Sequence, residues 1–406
     1  MTDQAAGGVV RTGQVEDAPV VVYVQRLLEQ AIDLHASDLH FEPYEDHYRV
    51  RMRIDGQLHE LSCAPLAFRE RLAARIKVMA RLDVAEKRLP QDGRMKFALP
   101  DGRHLDLRIS TLPTLFGEKV VVRVLDARQV QLDLAALGYE AHDLALLENA
   151  IQRPHGMVLV TGPTGSGKTQ SLYACLNRLN TAQVNIASVE DPCEIQMPGI
   201  NQVNVQDKPG LGFALALRAF LRQDPDILMV GEIRDLETAQ IAIQAAQTGH
   251  MVLSTLHTQD APAALVRLRN MGVASYNIAA SVSLITAQRL VRRLCPHCRE
   301  PVTLPAAALR WAGHAADALH ATQYHAYAPR GCSACHKGFR GRTGIFQVMP
   351  VSTAMQELIL QEAGILALDR QARQEGVRSL REAGLRKVIA GETSLDEVLM
   401  TTQEQA

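Results

Sequence analysis

The hydrophobic and polar positions change period near residue 138, and the two regimes predict different architectures. Before that point the segments are short and mixed. Val20, Val24, Leu27, Leu28, Ala31 and Ile32 recur at helical spacing over 19–34. A short strand is predicted at 36–43, stopped by Pro43. Residues 48–54 (YRVRMRI) alternate strictly and meet Asp55-Gly56, a hairpin turn pair. A helical pattern follows over 68–82, then strands near 95–99 and 105–109 around Asp101-Gly102, and a last strand over 119–125. This set predicts a compact α+β domain over 17–126. An aperiodic Gly/Ala-rich lead, 1–16, is expected to be mobile, and 127–137 reads as a linker.

From 138 onward, apolar runs at 157–160, 184–189, 227–230 and 251–256 alternate with helical stretches, among them 215–222 and 236–247. Strands alternating with helices predict an α/β fold built on a parallel sheet. Beyond 351 the pattern is helical over 354–362, 367–375 and 380–389. A last helix opens with the capping-box pattern Ser394-x-x-Glu397. The divisions implied are a nucleotide-handling domain over 138–290, a cysteine-bearing subdomain over 291–349 and a helical subdomain over 350–406.

The run 157–160 leads into Gly162-Pro163-Thr164-Gly165-Ser166-Gly167-Lys168-Thr169-Gln170, and a helix follows. Strand, glycine turn and helix start are the context of a phosphate-binding P-loop. The glycines let successive N–H groups point inward around an anion, at the positive end of the helix. Lys168 is placed to reach the β- and γ-phosphates, and the Thr169 hydroxyl to ligand Mg²⁺. The chain is therefore expected to bind ATP.

In an open parallel sheet, ligands sit beyond the carboxyl ends of the strands, where this sequence concentrates its acids. Glu232 follows the strand at 227–230 and is the candidate for holding Mg²⁺. Glu190, Asp191 and Glu194 follow the strand at 184–189, and Glu194 is the preferred residue for activating water. Asp191-Pro192 reads as a turn-forming pair. His257 ends the strand at 251–256 and is a candidate contact for the γ-phosphate. His250 stands at the opposite end of that strand, which argues against direct contact. In the first domain Arg49, Arg51 and Arg53 share one strand face, read as solvated. Arg108 and Arg123 sit beside loops and are candidates to point at a nucleotide.

Composition narrows the classes. The 406 residues exceed one core and carry a net charge of −1, with 21% charged and 47% hydrophobic residues. No apolar run approaches the about 18 residues that span a bilayer, and the first residues lack a signal-peptide pattern. Seven cysteines do not form a disulfide framework, so a reducing cytosol is expected. Four of them, Cys295, Cys298, Cys332 and Cys335, form two C-x-x-C knuckles suited to a structural, tetrahedral Zn²⁺. Arg289, Arg292, Arg293 and Arg299 cluster around the first knuckle and read as a solvated or subunit-facing surface. Only 4% of residues are aromatic, and no basic stripe interleaves with them. A nucleic-acid translocase is therefore disfavoured and no nucleic-acid partner is expected. A nucleotide-gated scaffold without turnover is disfavoured because every hydrolysis position is filled.

The boxes GPTGSGKT, EDPCE, RAFLRQDPDILMVGEIRD and TGHMVLSTLHT, in that order, resemble the hexameric secretion ATPases of type II secretion and type IV pili. SDLHFEP, RVRMRIDGQL, RLPQDGR and LRISTLPTLFGEKVVVRVL resemble the domain preceding their motor, and the paired cysteines their zinc-bearing insertion. NIASVEDPCEIQMPGINQVNV, RLVRRLCPHC, GRTGIFQV and GETSLDEV look most like the pilus-assembly branch, with the type II secretion branch second. Retraction members lack the tetracysteine insertion. The resemblance implies a RecA-like P-loop motor domain preceded by a smaller, PAS-like α+β domain. It also implies a homo-hexameric ring on an inner-membrane platform protein at the cytoplasmic face, with ATP in the cleft between the two domains. By position it implies Walker A roles for Lys168 and Thr169 and a catalytic carboxylate at Glu194. Glu232 becomes the Walker B acid, His250 and His257 a histidine box, and Arg108 and Arg123 phosphate-reaching arginines. Assembly members carry a further N-terminal domain that docks accessory proteins. Only a short lead stands in that place here, so that domain's roles are not carried over.

Overall fold

The structure is a computed structural model that describes residues 18–99, 102, 104–125, 132–206, 210–311 and 323–402. The lead at 1–16, the Asp101 turn position and the linker residues 127–131 lie outside the described residues. The chain divides after residue 127 into two compact units.

The first unit contains α1 (Ala18–Asp33), β1 (Asp38–Pro43), β2 (Tyr48–Ile54), β3 (Gln57–Ala64), α2 (Arg69–Met79), β4 (Gln91–Ala98), β5 (His104–Thr114) and β6 (Gly117–Leu125). Its six strands form one antiparallel sheet in the order β3-β2-β1-β6-β5-β4. The period-2 alternation settles which face is inward. Tyr48, Val50, Met52 and Ile54 enter a core with Leu27, Leu28, Leu72 and Ile76 of the two helices. At the β2–β3 turn, Asp55 and Gly56 both adopt positive φ (49° and 88°), as an Asp-Gly hairpin requires. β4 and β5 run longer than the apolar pattern indicates, because polar Gln91–Arg94 pair with Arg108–Thr111 through backbone bonds.

The outer face of that sheet is charged but internally matched. Glu42 accepts two hydrogen bonds from Arg51 at 2.8 Å each, one from Arg49 at 3.2 Å and an ion pair from Lys119 at 3.0 Å. Burial pushes its carboxyl pKa up, but the Arg51 and Lys119 bonds win and hold it at about 2.

The second unit contains α3 (Ala141–Ile151), β7 (Gly156–Thr161), α4 (Lys168–Leu179), β8 (Ile186–Glu190), β9 (Ile200–Asn204), α5 (Phe213–Phe220), β10 (Ile227–Val230), α6 (Leu236–Gln247), β11 (Met251–Leu256), α7 (Ala261–Asn270), α8 (Ser275–Ser281) and β12 (Val282–Leu294). Next come β13 (Glu300–Pro305), α9 (Ala306–Trp311), β14 (Gln323–Ala328) and β15 (Phe339–Pro350). The helices α10 (Thr353–Leu360), α11 (Ile365–Gln374), α12 (Leu380–Ile389) and α13 (Leu395–Thr401) complete it. Seven strands form a sheet in the order β15-β12-β7-β11-β10-β8-β9, parallel except where β15 runs against β12. Each face carries its own apolar core, which is why the central strands read as continuous apolar runs. This is the expected α/β sheet, with β7, β8, β10 and β11 close to their predicted places.

Two long strands were not predicted. β12 and β15 pair over most of their length and join the same sheet, β12 lying parallel to β7. β13 and β14 form a separate two-stranded sheet between them. The arginine-rich sequence of β12 hid a strand with both faces covered. Arg289 is only 8% exposed. Arg292 lies 4.0 Å from the Phe339 ring and pairs with Glu397, and Arg299 lies 4.3 Å from the Tyr327 ring. Of the four arginines expected to be solvated or subunit-facing, Arg293 alone is exposed. The last helix is also capped differently from expectation. Ser394 accepts from the Glu397 N–H at 3.4 Å, but the Glu397 carboxylate accepts from the Arg292 N–H at 3.2 Å. The reciprocal capping box belongs instead to Ser379 and Glu382 of α12.

Candidate nucleotide-hydrolysis site

β7 is buried along its whole length and delivers the chain into the glycine loop. Gly162 and Gly167 take φ of 151° and 86°. A Cβ on Gly162 would stand 2.5 Å from the Gln288 carbonyl oxygen, and one on Gly167 2.9 Å from Gln288 Nε2. Both turns therefore demand glycine, on steric as well as conformational grounds. Gln288 braces the loop from β12. Its Nε2 donates to the Ser166 carbonyl at 2.7 Å, and its Oε1 accepts from Ser171 Oγ at 2.8 Å.

Pro163, Thr164 and Gly165 form the exposed tip, while Thr169 and Gln170 are half-buried on the first turn of α4. Ser166 Oγ is buried with no partner among the described residues. Lys168 is 8% exposed, and its ammonium donates to the Gly162 and Pro163 carbonyls at 2.9 and 3.1 Å. Burial lowers its pKa, and nearby Arg289 adds to that. A buried cation and an orphaned hydroxyl inside a glycine cradle suit an anion of phosphate type.

The acids converge on the same sheet edge. Ser254 and Thr255 of β11 donate to the Val230 and Gly231 carbonyls at 2.8 and 2.7 Å, fixing the turn after β10. Glu232 meets His257 Nε2 at 2.9 Å and also accepts from Arg234, which reaches Asp191 at 3.4 Å. Burial pushes the Glu232 carboxyl up, and the Arg234 and His257 hydrogen bonds outweigh it, so the pKa is lowered and the carboxylate form favoured. Thr161 Oγ1, at the end of β7, accepts the Thr258 N–H at 3.0 Å and so ties the His257 loop to the P-loop strand. The Glu232 charge also acts on Lys168, and a carboxylate and a threonine hydroxyl are oxygen donors of the kind Mg²⁺ takes.

Three carboxylates follow β8, and the structure treats them differently. Glu190 is buried and accepts from Tyr173, from Ser188 Oγ at 2.7 Å and from Gln202 Nε2 at 3.2 Å. Asp191 and Glu194 are exposed on the loop beyond. His250 is not brought to the site. Its Nδ1 lies 3.0 Å from the Ala245 carbonyl, and its own carbonyl accepts from Gly156 at the start of β7. It is thus separated from His257 by the length of β11, roughly 20 Å. Arg108 and Arg123 face each other across β5 and β6 on the charged face of the first unit's sheet. Arg123 also donates to Asp38 at 2.9 Å.

Gln288, Arg289 and Tyr173 were not among the sequence candidates. Arg289 donates to the Gln259 carbonyl and Oε1 at 2.9 and 2.6 Å, closing the loop after His257 from beneath. Only knowledge that β12 lies beside β7 would have marked Gln288 and Arg289. Tyr173 carries a weaker signal, a tyrosine on the apolar face of the P-loop helix.

The four knuckle cysteines gather as expected, with all sulfurs within 4.8 Å of one another. Cys295–Cys332, Cys298–Cys335 and Cys332–Cys335 are separated by 3.9, 3.6 and 3.6 Å between Sγ atoms. Tetrahedral Zn²⁺ with bonds near 2.3 Å sets its sulfurs about 3.8 Å apart. The residues therefore fit a closed structural zinc site.

The model of the family described as "Type II/IV secretion system protein" matches residues 13–400. The chain is 52% identical over 389 residues to the type IV pilus assembly ATPase PilB of Acinetobacter baylyi, covering 96% of this chain and 67% of that one. It is 47% identical over 390 residues to the type II secretion system ATPase E of Vibrio cholerae, covering 96% and 76%. Among solved structures, the Legionella pneumophila ATPase DotB matches with a TM-score of 0.69 at 20% identity over 93% of this chain and 95% of that one. That likeness concerns the fold.

Proposed function

Because the chain belongs to the type II/IV secretion system protein family, we propose that it is the ATPase that drives type IV pilus assembly. The observation that carries this reading is 52% identity to a pilus assembly ATPase across nearly the whole chain, supported by a P-loop and acids at one sheet edge. The loop N–H groups and Lys168 hold the β- and γ-phosphates, with Lys168 exchanging its two carbonyl partners for phosphate oxygens. Thr169 and Glu232 would hold Mg²⁺, which neutralises charge on the departing phosphates. Glu194 takes the proton of the attacking water. His257, bonded to Glu232, lies where loss of the γ-phosphate can be relayed to the metal-holding acid. The cysteine cluster would hold Zn²⁺ as a structural staple.

The working form is a homo-hexameric ring at the cytoplasmic face of the inner membrane, where hydrolysis moves a platform protein and so adds pilin subunits. No helix among the described residues is long and apolar enough to cross a membrane. The second reading, the type II secretion ATPase, rests on the 47% identity to such a protein. A gene deletion separates the two. Lost surface pili with normal export of secreted enzymes is the expected result. Normal pili with blocked export would transfer the protein to the secretion machine, with residue roles unchanged.

A further inference from the structure

Tyr173 stands on α4, the helix that begins with Lys168, and its ring is 1% exposed. Its hydroxyl makes two directed bonds. It donates to Glu190 and accepts the backbone N–H of Glu194 at 3.1 Å. Burial, then the Glu190 charge, drives the phenol pKa upward, so the donating proton stays in place. The rest of the loop is pinned from β9. Asn204 Oδ1 accepts the Cys193 N–H at 2.7 Å, Gln202 Oε1 accepts the Met197 N–H at 2.8 Å, and Gln202 Nε2 donates to the Ile195 carbonyl at 3.0 Å. Those bonds fix the loop to its own edge of the sheet. Tyr173 ties the Glu194 backbone to the phosphate-binding helix.

We propose that Tyr173 is a positioning residue, which locks the loop carrying Glu194 to the helix carrying Lys168 so that water activation stays in register with the bound γ-phosphate. The inference rests on the assignment of Glu194 as the water-activating carboxylate. Tyr173 has its hydroxyl committed to Glu190 and to the Glu194 N–H. It acts through the Glu194 backbone, and displacement of a catalytic group by about 1 Å can lower turnover by two orders of magnitude.

The experiment uses the full chain with three variants: Tyr173→Phe, Tyr173→Phe with Glu190→Gln, and Glu194→Gln. ATP turnover, nucleotide affinity by titration with a non-hydrolysable ATP analogue, and Tm are measured for each. For Tyr173→Phe, kcat is expected to fall about tenfold or more while analogue affinity stays within about twofold. The double variant replaces the buried charge that Phe leaves short of a donor. It is expected to regain Tm but not kcat, and it serves as the reporter if Tyr173→Phe alone folds poorly. Unchanged kcat in the single variant overturns the proposal. So does recovery of kcat in the double variant, because Tyr173 would then act only by satisfying Glu190. Glu194→Gln distinguishes the underlying reading: it should bind the analogue and lose turnover. Full turnover there would remove Glu194 itself from catalysis, whatever Tyr173 does.

Discussion

At Gly162 a methyl group would meet Ser166 Oγ at 2.6 Å as well as the Gln288 carbonyl. Neither neighbour is free to withdraw, because Ser166 belongs to the loop and Gln288 to a paired strand. Gly162→Ala is therefore expected to open the loop and weaken ATP-analogue binding at least tenfold, read by titration, while the sheet beneath stays folded. The glycines and Lys168 were legible in the sequence because a P-loop needs those residue types in a fixed local order. Tyr173, Gln288 and Arg289 were not, because their partners lie far along the chain. Gln288 meets Ser166 across 122 positions and Arg289 meets Gln259 across 30. Local pattern carries no information on such pairings. Glu190 and Glu194 looked alike as acids after one strand. Burial separates them, and burial depends on what the neighbouring strand brings.

At the scale of elements, charge and metal each hold a piece together. Glu42 lies 5% exposed among Arg49, Arg51 and Lys119, with a folded-state pKa of about 2 against an ordinary 4.5. A depressed carboxyl pKa adds stability that is complete above the ordinary value and is lost as pH falls through the folded one. Stability of the first unit should thus fall between about pH 4.5 and pH 2, by on the order of 2 kcal/mol from this group after solvent screening. Glu42→Gln should flatten that part of the profile in a Tm series against pH. In the second unit, removing metal with a chelator should release the β13–β14 segment. Hydrogen exchange there would rise while the central strands stay protected, and elemental analysis of the untreated protein should find one zinc per chain. The central strands were readable as buried apolar runs. β12 and β15 were not, because Arg289, Arg292 and Thr343 occupy positions that a pattern reader assigns to solvent.

For the molecule as a whole, the proposed working form is a ring of six chains. Light scattering in the presence of a non-hydrolysable ATP analogue should give about six times the 44.5 kDa chain mass. A monomer at every concentration would remove the ring from the proposal. The division into an antiparallel α+β unit and a parallel α/β unit was plain from the change of hydrophobic period near residue 138, since each sheet type imposes its own rhythm. The way β12 carries the chain from the P-loop's flank out to the cysteine cluster was not, since a strand's neighbours are settled by the whole sheet.

That excursion has a practical side. Leu294 faces Phe339 across the ladder and Pro305 faces Gln323, so the chain between each pair leaves and returns at a point already closed. Lengthening a closed loop adds only about 0.6 kcal/mol for each doubling. An added label or small reporter domain between β13 and β14 would therefore leave the strand pairing intact, giving a handle for watching single subunits turn over without touching the sheet that hydrolyses ATP.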